Sequence, residues 1–382
     1  MRNVEKEDAL TRLCAFVASL VFFLPGISIG AAHQGQTHDF VRRWSFEPGE
    51  VVHQTPRIAG YLVYLASEDG ALTAVDLETG AEVWSVDTGT GFPTDPVIAD
   101  GVVYVGNQAG PLHALDAVSG APLWVAEGMA DAYAPAAAEG MVFITRFGEE
   151  GAVLNALNGD TGEIAWTTSL GMSSYGSPSA LDGRVFVTGS AGEDQAPAVL
   201  GFDIQSGESV WRSALETPLT LVGAAGDHIF ATGQPGFVAI DSATGEPLWT
   251  FQPGPDAPGG VWAADGPVVT DDVLYIGTGI AMGGNSSPSQ AGVVYALEVA
   301  TGEPNWQTEI PGGVAYGPAA TVDVVAVAAG LRGGLYILDA SSGEVAWYYP
   351  NRTGDAAGIT EKDDWLIVAD ADGSISAWQD IT

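Results

Sequence analysis

Five aromatic or imidazole side chains recur at matching places along the chain: His53, Tyr133, Tyr175, Trp262 and Tyr316. Arg146 and Arg332 stand beside them in a chain with few cations. Rings of this kind stack on a flat ligand, and a guanidinium pairs with a carboxylate or phosphate. Asn285, in Gly283-Gly284-Asn285-Ser286, adds an amide that could hold a polar group. These eight side chains are the candidate ligand-binding set. Carboxylates gather at Glu149-Glu150 and at Asp370-Ala371-Asp372. Asp370-x-Asp372-Gly373 matches the start of a calcium loop, but the rest of that pattern is missing and a strand follows, so it reads as a turn. No cysteine–histidine cluster suggests zinc, and no phosphate loop, nucleophile elbow or kinase signature occurs. No catalytic residue and no metal ligand is assigned.

Charge narrows the function classes further. The 382 residues carry 12 Lys+Arg against 48 Asp+Glu, a net charge of −36. A chain this acidic has no basic surface for nucleic-acid phosphates or anionic membranes. With 46% hydrophobic residues it is too apolar for a disordered acidic chain. The expectation is a folded core under an acidic skin, of the kind adapted to high salt, where self-repulsion is screened.

The first residues read as a targeting segment. Arg2, Lys6 and Arg12 precede an uncharged run from Leu13 to Leu24, then Pro25-Gly26, then small residues at Gly30-Ala31-Ala32. That order is the secretory one. Residues 1–32 are therefore expected to be a signal peptide, or a membrane anchor if they are retained, and 33–39 a linker. The single cysteine, Cys14, lies inside this segment, so disulfides and thiol catalysis are excluded after cleavage.

These side chains must be positioned by a repeat. Seven times the chain writes an acidic or amide residue, two residues, Thr/Ser-Gly, three residues, then Trp. The copies end at Trp84, Trp124, Trp166, Trp211, Trp249, Trp306 and Trp347, at intervals of 40, 42, 45, 38, 57 and 41. A period near 40 marks a propeller or solenoid. Each unit holds short apolar runs such as Leu62–Leu65 and Ala71–Asp76, with no helical period, so it reads as a four-stranded blade. The Asp or Asn is expected to bond backbone two residues on, and the Gly to supply positive φ. The Trp is expected to wedge between neighbouring sheets and find a carbonyl for its N–H.

The last unit stops at Ser374–Gln379 without its final strand, and Phe40–Phe46, with Trp44, is an orphan one. The expectation is an all-β, eight-bladed propeller over residues 40–382, closed by that N-terminal strand. All eight tryptophans, Trp44 included, are assigned to packing. The loops entering the blades and those between second and third strands share one face, which carries the candidate set.

The forms Ala74–Trp84 and Ala114–Trp124 resemble the repeat of pyrroloquinoline-quinone (PQQ) propellers, over essentially all of residues 40–380. That family holds quinoprotein alcohol dehydrogenases, which bind PQQ and calcium at the channel mouth, and non-catalytic scaffolds. Unit six, the longest, is similar to a dehydrogenase stretch at Gly259-Gly260-Val261-Trp262 and Tyr275–Gly279. There the resemblance implies that Trp262 stacks on PQQ and that an Asn after Thr-Gly ligates calcium. This chain has Ile280 at that place, and the family's catalytic Asp has no counterpart in Gln307–Tyr316. The reading is an exported, monomeric, non-catalytic binding or scaffolding propeller for a protein partner or small ligand, with no cofactor. It is peripheral to the membrane, or anchored if the signal stays. The alternative is a reduced quinoprotein dehydrogenase using PQQ and calcium.

Overall fold

The computed structural model describes residues 38–382 apart from 48–54, 90–93, 107–109, 131, 149–150, 171–175, 192–195, 216–218, 234–235, 254–267, 271, 279–291, 315–316, 330–333, 351–355 and 371–372. Its described elements are strands, arranged as eight four-stranded antiparallel sheets around an axis. Blade 1 shows the plan. Its strands are Arg57–Ala59, Leu62–Ala66, Ala71–Asp76 and Glu82–Asp87, paired in sequence order from the axis outward. Blades 2 to 7 repeat it over residues 97–126, 136–169, 179–214, 219–251, 268–310 and 319–349. Two-residue hairpins join the first strands tightly. In blade 2, Asp100 and Gly101 sit at φ 50° and 79°, a double left-handed turn that follows the twist of the flanking strands.

Blade 8 is built from both ends of the chain. Ala356–Lys362, Trp365–Asp370 and Ile375–Asp380 form its inner three strands, and Phe40–Phe46 its fourth. Phe40 pairs with Asp380 and Phe46 with Ile375, with a bulge between Arg42 and Trp44. The N-terminal strand thus closes the circle as expected.

The core is not one central mass. Its eight apolar clusters lie one at each junction between neighbouring blades, for example Val63, Leu65, Ile367 and Ala377 between blades 8 and 1. Both faces of the second and third strands are therefore buried, which is why those strands read as continuous apolar runs.

The repeat motif fastens each junction. In the blade 1 turn, the Asp76 carboxylate accepts from the Thr79 N–H at 2.8 Å and the Thr79 hydroxyl at 2.6 Å. The backbone bond thus reaches three residues on, not two. It does so in six of the seven turns, and four of those add the expected bond to the second residue. The reason is local: the Ser or Thr hydroxyl joins the same oxygen and draws the turn tighter. Trp44 lies on the face of Gly80 in the next blade and donates Nε1–H to the Leu77 carbonyl at 2.8 Å. Six more tryptophans make the same clasp, down to Trp306 on Gly343 with Ala340 as acceptor. Trp347 instead packs against Phe40 at 5.6 Å and Trp378 at 5.6 Å.

Candidate functional site

The blade entrances carry small residue-proline pairs because the first strands crowd together at the axis. Thr55-Pro56 opens blade 1, Asp95-Pro96 blade 2 and Ala134-Pro135 blade 3. Proline fixes φ where the missing N–H costs nothing.

Blade 3 brings two of the expected residues together. Tyr133 precedes its first strand and donates its backbone N–H to the Thr145 carbonyl at 3.1 Å. Arg146 follows Thr145 on the second strand, Met141–Gly148, and bridges Ala132. The Tyr133 ring lies 6.4 Å from Phe147, tilted by 54°. Arg146 is anchored through its Nε. Its Nε–H donates to the Asn155 side-chain oxygen at 3.0 Å, and the Asn155 amide donates to the Thr167 hydroxyl at 2.7 Å. Asn155 is fully buried. The polar chain therefore crosses three strands of one sheet, satisfying groups whose burial unpaired would be costly. Thr145, also buried, donates to the Gly176 carbonyl at 2.8 Å and ties blade 3 to the approach to blade 4. The remaining candidates, His53, Tyr175, Trp262, Asn285, Tyr316 and Arg332, lie outside the described residues.

Two groups at the axis escaped the sequence. Arg57, on the first strand of blade 1, reaches Asp95 of blade 2 at 3.3 Å. Burial pushes the Asp95 carboxyl up, while Arg57 opposes it. Thr55, beside them, is buried with its hydroxyl unpartnered among the described residues.

A second missed feature is a register position, three residues before the acidic turn residue on each third strand. It holds Asn155 in blade 3, Thr73 in blade 1, His113 in blade 2 and Tyr336 in blade 7. Thr73 bonds Ser85 at 2.9 Å across the sheet. Burial lowers the His113 pKa, so the ring is held neutral, and its Nε2 has no partner among the described residues. The Tyr336 ring lies 4.6 Å from Tyr348, tilted by 39°, and burial raises its phenol to about 12. Setting the repeats in register would have exposed these polar positions, which Leu200 and Val238 interrupt in blades 4 and 5. Among the described residues no group of three His, Cys, Asp or Glu is placed to hold a metal ion.

Comparison with known proteins places this geometry among relatives. The family described as outer membrane protein assembly factor BamB matches residues 41–127, 127–226, 195–357 and 290–380. The crystal structure of BamB from Moraxella catarrhalis is similar, at 20% identity and TM-score 0.62, covering 89% of this chain and 98% of that one. The computationally designed Ika8 protein is similar at 14% identity and TM-score 0.71, covering 87% and 97%. Quinohemoprotein alcohol dehydrogenase from Comamonas testosteroni is similar at 16% identity and TM-score 0.65, covering 90% and 77%. At these identities the structures share the fold alone. No curated protein sequence matches the chain.

Proposed function

The chain belongs to the family of the outer membrane protein assembly factor BamB, and from that premise we propose that it is a non-catalytic scaffold for a protein partner. The observation that carries this reading is the outer rim. Seven of the eight fourth strands expose large apolar side chains, Val83, Leu123, Ile164, Val210 and Leu248 among them. Those strands are the free edges of their sheets. Free backbone donors and acceptors beside apolar side chains are what a partner strand adds to. The polar groups at the axis support binding over catalysis. Arg57 is paired with Asp95, and Arg146 is anchored at Nε by the buried Asn155 amide, so both are held in place as binding groups.

The residues present do not fit the PQQ and calcium of the dehydrogenases. The Thr278 hydroxyl is spent on the Val293 backbone, at 3.0 and 3.2 Å. Ile280 offers no ligand where that family's pattern has an amide. The reading gives the quinone no part. It also places the protein outside the cytoplasm, with residues 1–32 as its targeting segment, a point tested by N-terminal sequencing of the native protein.

The central test has two arms. Dye-linked dehydrogenase activity of protein supplied with PQQ and Ca²⁺ at molar salt should be absent. Turnover that Trp262→Ala abolishes would replace the scaffold with an enzyme. In the second arm, cross-linking at native salt should capture one partner with the parent and lose it with Leu123→Lys/Val125→Lys. Equal capture by both would move the interface off the rim.

A further inference from the structure

Six blades place an aromatic ring at one position of the second strand, under the tryptophan of their own fourth strand. These are Tyr64, Tyr104, Phe143, Phe186, Phe230 and Tyr275, with centroids 5.6 to 6.3 Å from the tryptophan. Blade 7 has Ala326 there, on Val324–Ala329. At its junction with blade 8 a second filler is also missing. The other seven junctions receive a Thr/Ser-Gly turn from the next blade, but in blade 8 that turn is where Thr382 and His38 interrupt the pattern.

Trp347 is covered instead by Phe40 and Trp378, and a cavity of about 250 Å³ opens beside Ala326. Phe40, Ala326 and Leu366 form its apolar wall, and Asp323, Glu361 and Asp363 bring carboxylates to it. The nearby nitrogen donors already have partners. His38 and Asp380, both in the cavity wall, bond each other at 2.5 Å, and Lys362 donates to the Gly60 carbonyl of blade 1 at 2.7 Å. Glu361 makes no hydrogen bond or ion pair among the described residues. Burial, helped by the charge of Asp363, raises its carboxyl to about 7.

We propose that this cavity is a binding site for a small organic cation carrying one aromatic ring. The ring lies against Phe40, Ala326 and Leu366, where a larger side chain at position 326 would stand, and the cationic nitrogen sits among Asp323, Glu361 and Asp363. A bare metal ion is a poor match, because no three of these groups converge to ligate it. An anion would meet uncompensated carboxylates. A ligand with both parts gains from each, as small-molecule sites with an apolar lining and few polar groups do. This site is independent of the rim, so failure of either reading leaves the other standing.

Isothermal titration of the full chain with tyramine tests it, at a salt concentration where circular dichroism shows the protein folded. Saturable one-to-one binding is expected, and none with 3-(4-hydroxyphenyl)propionate, which has the same ring and the opposite charge. Ala326→Tyr restores the ring of the other six blades and should weaken tyramine at least tenfold without lowering the Tm. Should that variant not fold, Asp323→Asn/Glu361→Gln leaves the packing untouched and must show the same loss. No saturable binding by the parent, equal binding of the propionate, or a folded variant that binds like the parent would each overturn the site.

Discussion

Asn155 serves two masters, accepting from Arg146 on one side and donating to Thr167 on the other. Replacing it with leucine keeps the volume and orphans both partners. Thr167 is exposed and Arg146 half-buried, so both can turn to water, and Asn155→Leu should cost about 1 kcal/mol, the net worth of the lost bonds, with a lower urea midpoint at unchanged slope. Glu361 makes a second residue-scale case, through pH. Its carboxyl titrates near 7 in the fold against 4.5 as a free side chain. The native state therefore holds the proton more tightly, and stability from this group falls as pH rises from about 4.5 to 7. Glu361→Gln should melt with the parent at pH 4 and above it at pH 8. The turn carboxylates Asp76, Asp116, Asp203, Asp241 and Asp339 act in the opposite sense. Hydrogen bonds from the following Ser or Thr hold them below the usual range, so their contribution is present above about pH 4 and lost as pH falls through their folded values. At this scale the sequence was a partial guide. It singled out Tyr133 and Arg146 by type, but an arginine's partner depends on which strands are neighbours. Arg57 and Asp95 meet across two blades, 38 positions apart in the chain, and no local pattern marks that.

The Thr/Ser-Gly-x-x-x-Trp element was legible because both its residues answer to geometry within one turn. The wedging of the Trp between sheets was legible too; what could not be read was which residue it meets, the Gly of the next unit. That contact gives the glycine a second reason to exist. At Gly302, φ is +71° and an added Cβ would lie 2.4 Å from the Trp249 ring. Gly302→Ala should thus cost more than the roughly 1 kcal/mol of left-handed strain alone, because the ring must also move. A paired Trp249→Ala variant, itself costing about 3–5 kcal/mol, should mask most of the added effect. A double-mutant cycle by chemical denaturation measures that coupling. Eight blades were countable because strands alternate with turns at fixed spacing. The closing strand was countable because one tryptophan stood ahead of the first repeat and one was missing after the last.

For the whole molecule, the charge of −36 acts on every blade at once. Cohesion comes from eight apolar junctions, while like charges spread over the surface push them apart. The Debye length shrinks to roughly 3 Å at 1 M salt, so the Tm in NaCl or KCl should climb steadily from dilute buffer to the molar range, and a flat profile would show that the acidic skin is not under strain. The paired ends of the chain impose an order in time. Phe40 meets Asp380 across 340 residues, so a polypeptide made or exported from its N-terminus carries its first strand unpaired until the last one arrives. Blades 1 to 7 can assemble as they emerge, because each is contiguous in the chain. The circle itself is fastened in a single late event, and a chain cut short by even its last ten residues would remain an open arc with raw edges at both ends.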